Sequence, residues 1–175
     1  VCMIAVLAFS RPFVMDRLTT FMNPEDDPLG SGYQIQQSLI AVGSGGTFGR
    51  GFGQSIQKFD YLPEAIGDSV FAVYAEEFGF VGTILLVIGY VSFCLRGYRI
   101  AAHTQDMFGS LLVVGFVTIV TIQAFLNIGA MVGIAPLSGL PLPFISHGGT
   151  ALFATLAALG IVLNVSRYQG RKQTL

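Results

Sequence analysis

Long apolar stretches alternate with one long mixed stretch along this chain, and that alternation predicts its elements. Residues 78–95, FGFVGTILLVIGYVSFCL, are 18 uncharged and mostly apolar positions closed by Arg96 and Arg99. At about 1.5 Å per residue they cover roughly 27 Å, close to the hydrocarbon thickness of a bilayer. From Met107 to Ser166 another 60 residues carry no Lys, Arg, Asp or Glu. That stretch is too long for one crossing, and Pro136, Pro141 and Pro143 with Gly133, Gly139, Gly148 and Gly149 interrupt it. It predicts two membrane helices, 108–131 and 150–166, joined by a Pro/Gly turn at 132–149. The opening run, 1–10, reads as the end of a further membrane helix. No initiator Met or basic flank stands ahead of it, so it does not read as a signal peptide, and the chain is expected to be truncated upstream.

Composition rules out the soluble alternative. Of 175 residues, 53% are hydrophobic and 11% charged, with a mean hydropathy of +0.68, where a soluble domain carries about 25% charged residues. The expected fold class is all-α, a polytopic helical membrane protein. A net charge of -1 and the lack of any Lys/Arg run exclude a nucleic-acid binder. Cys2 and Cys94 both lie inside apolar runs and read as small buried hydrophobes, not as a disulfide or a metal pair.

Charge placement adds a topology. Arg96 and Arg99 sit between two predicted helices, and Arg167, Arg171 and Lys172 follow the last one, so both groups are expected inside the cell. The resulting order is a helix end at 1–10, an extracytoplasmic loop at 11–77, a span at 78–95, a cytoplasmic loop at 96–107, a span at 108–131, the extracytoplasmic turn at 132–149, a span at 150–166 and a cytoplasmic tail at 167–175. Nine of the ten acidic residues fall in the loop 11–77, against only Arg11, Arg17, Arg50 and Lys58. A connection this long is unusual unless it is functional, and its recurring Phe, Tyr, Leu and Ile argue for a folded lid or active-site loop.

Three segments carry candidate chemistry. GSGGTFGRGFGQSIQ is glycine-rich but lacks the Gly-Lys-Ser/Thr ending and the strand-to-helix setting of a nucleotide loop. Tight backbone packing at the membrane surface, with N–H groups open to an anionic lipid head, is the stronger reading. In YLPEAIGDSVFAVYAEEFG, Glu64 and Asp68 are spaced to share one helical face, while Asp68 equally suits the N-cap of a helix starting at Ser69. A carboxylate at an apolar membrane edge has its charged form disfavoured, which suits a general base. Glu76 and Glu77 stand where this segment enters the bilayer, either paired with Arg50 or Lys58 or simply marking the water boundary. The third segment, APLSGLPLPFISHGGT, is apolar but cannot be a regular helix, and irregular backbone at membrane depth belongs in protein or along a cavity. His147 within it reads more readily as a structural hydrogen-bonding residue than as a catalyst.

Residues 27–82, DPLGSGYQIQQSLIAVGSGGTFGRGFGQSIQKFDYLPEAIGDSVFAVYAEEFGFVG, and 127–149, NIGAMVGIAPLSGLPLPFISHGG, together resemble the C-terminal part of a SEDS (shape, elongation, division and sporulation) protein. The wording leans toward a division-type member over an elongation-type one. The resemblance implies a C-terminal fragment of a ten-helix fold, beginning at the end of the seventh helix. It implies a peptidoglycan glycosyltransferase that polymerises lipid II beside a class B penicillin-binding transpeptidase and other divisome or elongation-complex membrane proteins, by inverting transfer with release of undecaprenyl pyrophosphate. By position, Asp68 matches the family's essential loop aspartate and is the expected catalytic base. Glu64, Lys58 and Arg50 are candidates for holding sugars or pyrophosphate, and Pro143, Ser146 and His147 for lining the substrate groove. No cofactor is firmly implied, and a divalent cation is left open. The chain departs from the family in Ile66-Gly67 and Ser69 around the aspartate and in His147, where Tyr is usual. Two other readings stand beside this one: a lipid II translocator, which needs polar groups such as Gln123, Asn127 and Asn164 across the midplane, and a non-catalytic scaffold for the transpeptidase.

Overall fold

The computed structural model describes residues 17, 19–22, 30–60 and 67–167, with residues 59 and 60 described by backbone alone. Five helices and the connections between them make up most of this: α1 (Ser31–Ser44), α2 (Gln57–Asp60), α3 (Val70–His103), α4 (Met107–Met131) and α5 (Gly149–Arg167). Arg17 and residues 19–22 are also helical. Among the described residues three helices, α3, α4 and α5, are long and apolar enough to cross a membrane. Only 28%, 17% and 11% of the apolar stretches of α4, α3 and α5 are buried within the chain, so most of their surface is left for lipid or other helices. The chain is part of a multi-pass membrane protein.

The 34 residues of α3 extend past the apolar run 78–95 at both ends, and at about 1.5 Å per residue they reach roughly 51 Å, beyond any bilayer. Arg96 and Arg99 end the apolar run without ending the helix, because Arg is a good helix former. The connection expected at 96–107 therefore shrinks to 104–106. There Asp106 caps α4, accepting from the Gly109 N–H at 2.7 Å, and the Ser110 hydroxyl donates to the Ala101 carbonyl at 2.9 Å. The α3/α4 hairpin closes tightly at Gly97, where any Cβ would collide with Val117. A small core of Ala101, Val113, Val117 and Val162 fixes the C-terminal half of α5 at this same end, so Arg96, Arg99 and Arg167 share one end of the bundle.

At the opposite end a larger core joins α1, the start of α3, the end of α4 and the connection 132–148, through Ile35, Ala41, Phe71, Ala72, Ala124, Met131, Leu137 and Leu142 among others. The buried positions of α1, Gly32, Ile35, Ser38 and Ala41, recur every third residue and form the one face it packs with.

The α3 helix is two helices joined end to end, broken at Gly79 (φ 65°, ψ -164°). In an unbroken helix the Phe80 and Val81 N–H groups would donate to the Glu76 and Glu77 carbonyls. Here they donate instead to the Gly46 and Thr47 carbonyls (2.9 and 3.1 Å), while Arg50 and Gly51 N–H groups donate to Glu76 and Glu77 (3.0 and 3.1 Å). The glycine loop thus supplies all four backbone partners that the break removes. Its glycines are there for closeness: a Cβ on Gly49 would strike the Glu77 carbonyl, and one on Gly79 the Gly49 nitrogen. This is the tight backbone packing the glycine-rich segment suggests, and it commits the Gly49, Arg50, Gly51 and Gln54 N–H groups within the chain.

Candidate functional site

Irregular backbone at 132–148 is held by donors from the helices around it. Arg17 donates to the Leu137 carbonyl, Asn127 to Leu140 at 2.7 Å, Gln123 to Pro141 at 2.8 Å and the Tyr90 hydroxyl to Pro143 at 2.6 Å. Ser146 works in both directions, accepting from the Leu142 N–H at 2.7 Å and donating to the Gly67 carbonyl at 2.8 Å. Buried backbone carbonyls without water are costly, and these side chains remove the cost while fixing the connection's path. They also fix the turn 67–69, since Asn127 donates to the Asp68 carbonyl at 2.7 Å and Gln34 to the Ser69 hydroxyl at 2.8 Å.

Asp68 is half-buried in that turn, ahead of α3, which starts at Val70 with Ser69 as its N-cap. Ser69, and not Asp68 as one of the two sequence readings has it, stands at the N-cap position, and it makes no side-chain cap. The carboxylate lines a cavity of about 100 Å³ with Arg17, Ser31, Gln34, Asn127 and Ser138. One point on Gly139, where a Cβ would sit, is 3.5 Å from Asp68 Oδ2 and 3.5 Å from both Arg17 Nη1 and Nη2, so carboxylate and guanidinium converge over this glycine. The surroundings are cationic and amide-rich, where the sequence suggests an apolar edge. Asn127 is 2% exposed, and its Oδ1 meets no donor among the described residues while its Nδ2 is used twice.

Glu76 serves a second assembly. Only 1% exposed, it accepts from the Ser55 hydroxyl at 2.6 Å, the Ile56 N–H at 3.2 Å and the Gln57 N–H at 3.4 Å, with Arg50 Nε at 3.6 Å. Ser55 in turn accepts from the Lys58 N–H at 3.2 Å. This carboxylate ties the start of α2 to α3; it is a buried anchor and not a marker of the water boundary.

Of the described residues expected at a site, only Asp68 is among those lining the cavity. Arg50 stands with Glu76; Lys58 and His147 are exposed; Pro143 and Ser146 are buried and hold backbone. Glu64 lies outside the described residues. The cavity's further polar groups, Arg17, Ser31, Gln34, Asn127 and Ser138, were not singled out for it. Asn127 carried a readable signal, an amide within an uncharged membrane helix; Arg17 gave none, since proximity across more than a hundred residues is invisible in sequence. Among the described residues no group of three His, Cys, Asp or Glu stands together as a metal site.

A profile of the cell cycle protein family FtsW/RodA/SpoVE matches residues 1–171. This chain belongs to that family. Among family members it is 49% identical over 162 residues to stage V sporulation protein E of Bacillus subtilis, covering 93% of this chain and 44% of that protein. It is 46% identical over 167 residues to the probable peptidoglycan glycosyltransferase FtsW of Thioalkalivibrio sulfidiphilus, covering 94% and 42%. The chain thus spans less than half the length of the relatives it matches. Two solved structures share the family's fold: a chain of a peptidoglycan synthase complex (TM-score 0.73, 32% identity, 96% of this chain and 46% of that one) and the rod shape determining protein RodA of Thermus thermophilus (TM-score 0.58, 35% identity, 77% and 41%).

Proposed function

We propose that this chain is the catalytic C-terminal part of a peptidoglycan glycosyltransferase that polymerises lipid II, with Asp68 as the general base. The observation that carries the reading is the convergence of Asp68 and Arg17 over Gly139 in a cavity at one end of the membrane bundle. Asp68 takes the proton of the acceptor sugar's hydroxyl as its oxygen attacks the donor's anomeric carbon from the face opposite the leaving group. The anomeric C–O bond breaks, and undecaprenyl pyrophosphate departs with its electron pair. Arg17 offers a fixed, permanently charged fork to the growing negative charge on the pyrophosphate. The Asn127 Oδ1, a buried acceptor, suits a sugar hydroxyl or acetamido N–H.

The names of the relatives in the FtsW group and the peptidoglycan synthase complex support this chemistry. They also support a division role, the preferred one, and a class B penicillin-binding transpeptidase as partner. In this reading the Arg96, Arg99 and Arg167 end of the bundle lies in the cytoplasm and the Asp68 end outside, supported by the preference of basic residues for the inner side. Translocation is the weaker reading, because Gln123 and Asn127, two polar groups available for a midplane path, are engaged in holding the 137–142 backbone.

The deciding experiment is glycan synthesis from lipid II by the full-length protein reconstituted with its transpeptidase. Asp68→Asn, which keeps size and loses basicity, is expected to lower the rate by at least about 10²-fold. Undiminished polymerisation by this variant, or full complementation of a deletion strain, overturns the reading.

A further inference from the structure

On a side of α3 that the rest of the described chain leaves uncovered lies a groove of about 390 Å³, floored by Leu85, Leu86, Gly89 and Phe93 and walled by Phe144 and Ile145 of the connection. Its volume is in the range of ligand pockets, about 300–1,000 Å³. Three features mark it as built. A Cβ on Gly89 would meet nothing within 4 Å, so the missing side chain leaves open space in the groove. Phe144 is the one non-glycine residue among those described with a left-handed backbone (φ 67°), a strained state for an aromatic residue. That conformation accompanies an edge-on contact between the Phe144 and Phe93 rings, 5.9 Å between centroids. The wall is also fastened, by Tyr90 to Pro143 and by Ser146 to Gly67, the residue next to Asp68.

The groove lies within the uncharged run 78–95 and opens sideways past Leu85, 62% exposed, and Ile145, 37% exposed. It is continuous with the exposed apolar face of a membrane span, at a depth where hydrocarbon and not water is the available filling. A chain lying in it reaches the turn that is bonded to the Asp68 segment. We propose that this groove binds the isoprenoid chain of the lipid-linked substrate and aligns its sugar end with the Asp68 cavity. The assignment rests on the glycosyltransferase reading above, and it adds a binding site for the part of the substrate that does not react. Where such binding is equal in the ground state and the transition state, it lowers KM and leaves kcat unchanged.

The test uses the full-length protein in proteoliposomes with two photoreactive probes, a lipid II analogue carrying a diazirine in its isoprenoid chain and a phospholipid carrying one in its acyl chain. Gly89→Leu fills the groove; Leu85→Trp obstructs its mouth from the exposed side; Gly115→Leu, also at a glycine with nothing within 4 Å, serves as the control outside it. Expected are crosslinks from the isoprenoid probe to the peptide 85–93, lost in Gly89→Leu and Leu85→Trp and kept in Gly115→Leu. Polymerisation should show KM raised about tenfold with kcat nearly unchanged in the two groove variants. Equal labelling by the phospholipid probe, no labelling of 85–93 because another helix covers it, or unchanged KM in both groove variants overturns the proposal. Asp68→Asn separates the two readings: crosslinking that persists while polymerisation is lost supports both, whereas crosslinking with full polymerisation in Asp68→Asn removes the catalytic assignment and leaves the groove standing.

Discussion

Two arginines show how much placement decides a residue's role. Arg50 was a candidate from its charge alone, yet it lies 3.6 Å from Glu76, is 38% exposed and is not among the residues lining the cavity. Its partner Glu76 is buried and already accepts from Ser55, Ile56 and Gln57, so Arg50 serves that anchor and not the cavity. Arg17 shares a point of approach with Asp68 and donates to Leu137. Arg17→Ala is therefore expected to lower lipid II polymerisation by about 10²-fold, the size of losing one electrostatic stabiliser of a transition state, with Arg17→Lys in between and Arg50→Ala within a fewfold of wild type. Steady-state rates of the full-length variants check this order, and equal losses for the two alanine variants would contradict it. Asp68 was legible because its motif is local and ordered. Arg17 was not, because nothing in a linear pattern brings residue 17 to residue 139. Asn127 lay between these cases: an amide in an uncharged run stood out as a group for a translocation path, and its partners proved to be backbone from two separate segments.

Among the elements, apolar runs were readable and irregular joints were not. The runs 108–131 and 150–166 fall inside or along α4 and α5 because a bilayer rewards long uncharged segments whatever their neighbours do. The break at Gly79 escaped, since a single glycine inside an apolar run gives no local sign that another loop will complete its hydrogen bonds. That dependence makes a sharp contrast between glycines. Gly53 has φ 78° with open space around it, so Gly53→Ala should cost only the left-handed penalty of about 1–2 kcal/mol. Gly49→Ala adds a collision with the Glu77 carbonyl and should lower the thermal midpoint of the purified protein well beyond Gly53→Ala; similar midpoints would mean that the loop is not locked into the helix.

For the whole molecule, the two ends of the bundle are chemically unlike. One holds Arg96, Arg99 and Arg167; the other holds the Asp68 cavity and the carbonyl-binding side chains. Single cysteines at Lys58 and Gln105, both exposed, in a cysteine-free background should react oppositely with a membrane-impermeant maleimide in intact cells. Lys58→Cys labels and Gln105→Cys labels only after lysis; the reverse pattern inverts the proposed orientation. The break at Gly79 bears also on how such a molecule is made. The glycine loop leaves the ribosome about thirty residues before the break at Gly79 that it completes. Until that loop docks, two N–H and two carbonyl groups at the break lack partners, and each such group buried away from water without one costs free energy comparable to a lost hydrogen bond. A variant that damages the glycine loop, such as Gly49→Ala, is therefore expected to lower the amount of inserted protein more than its turnover per molecule.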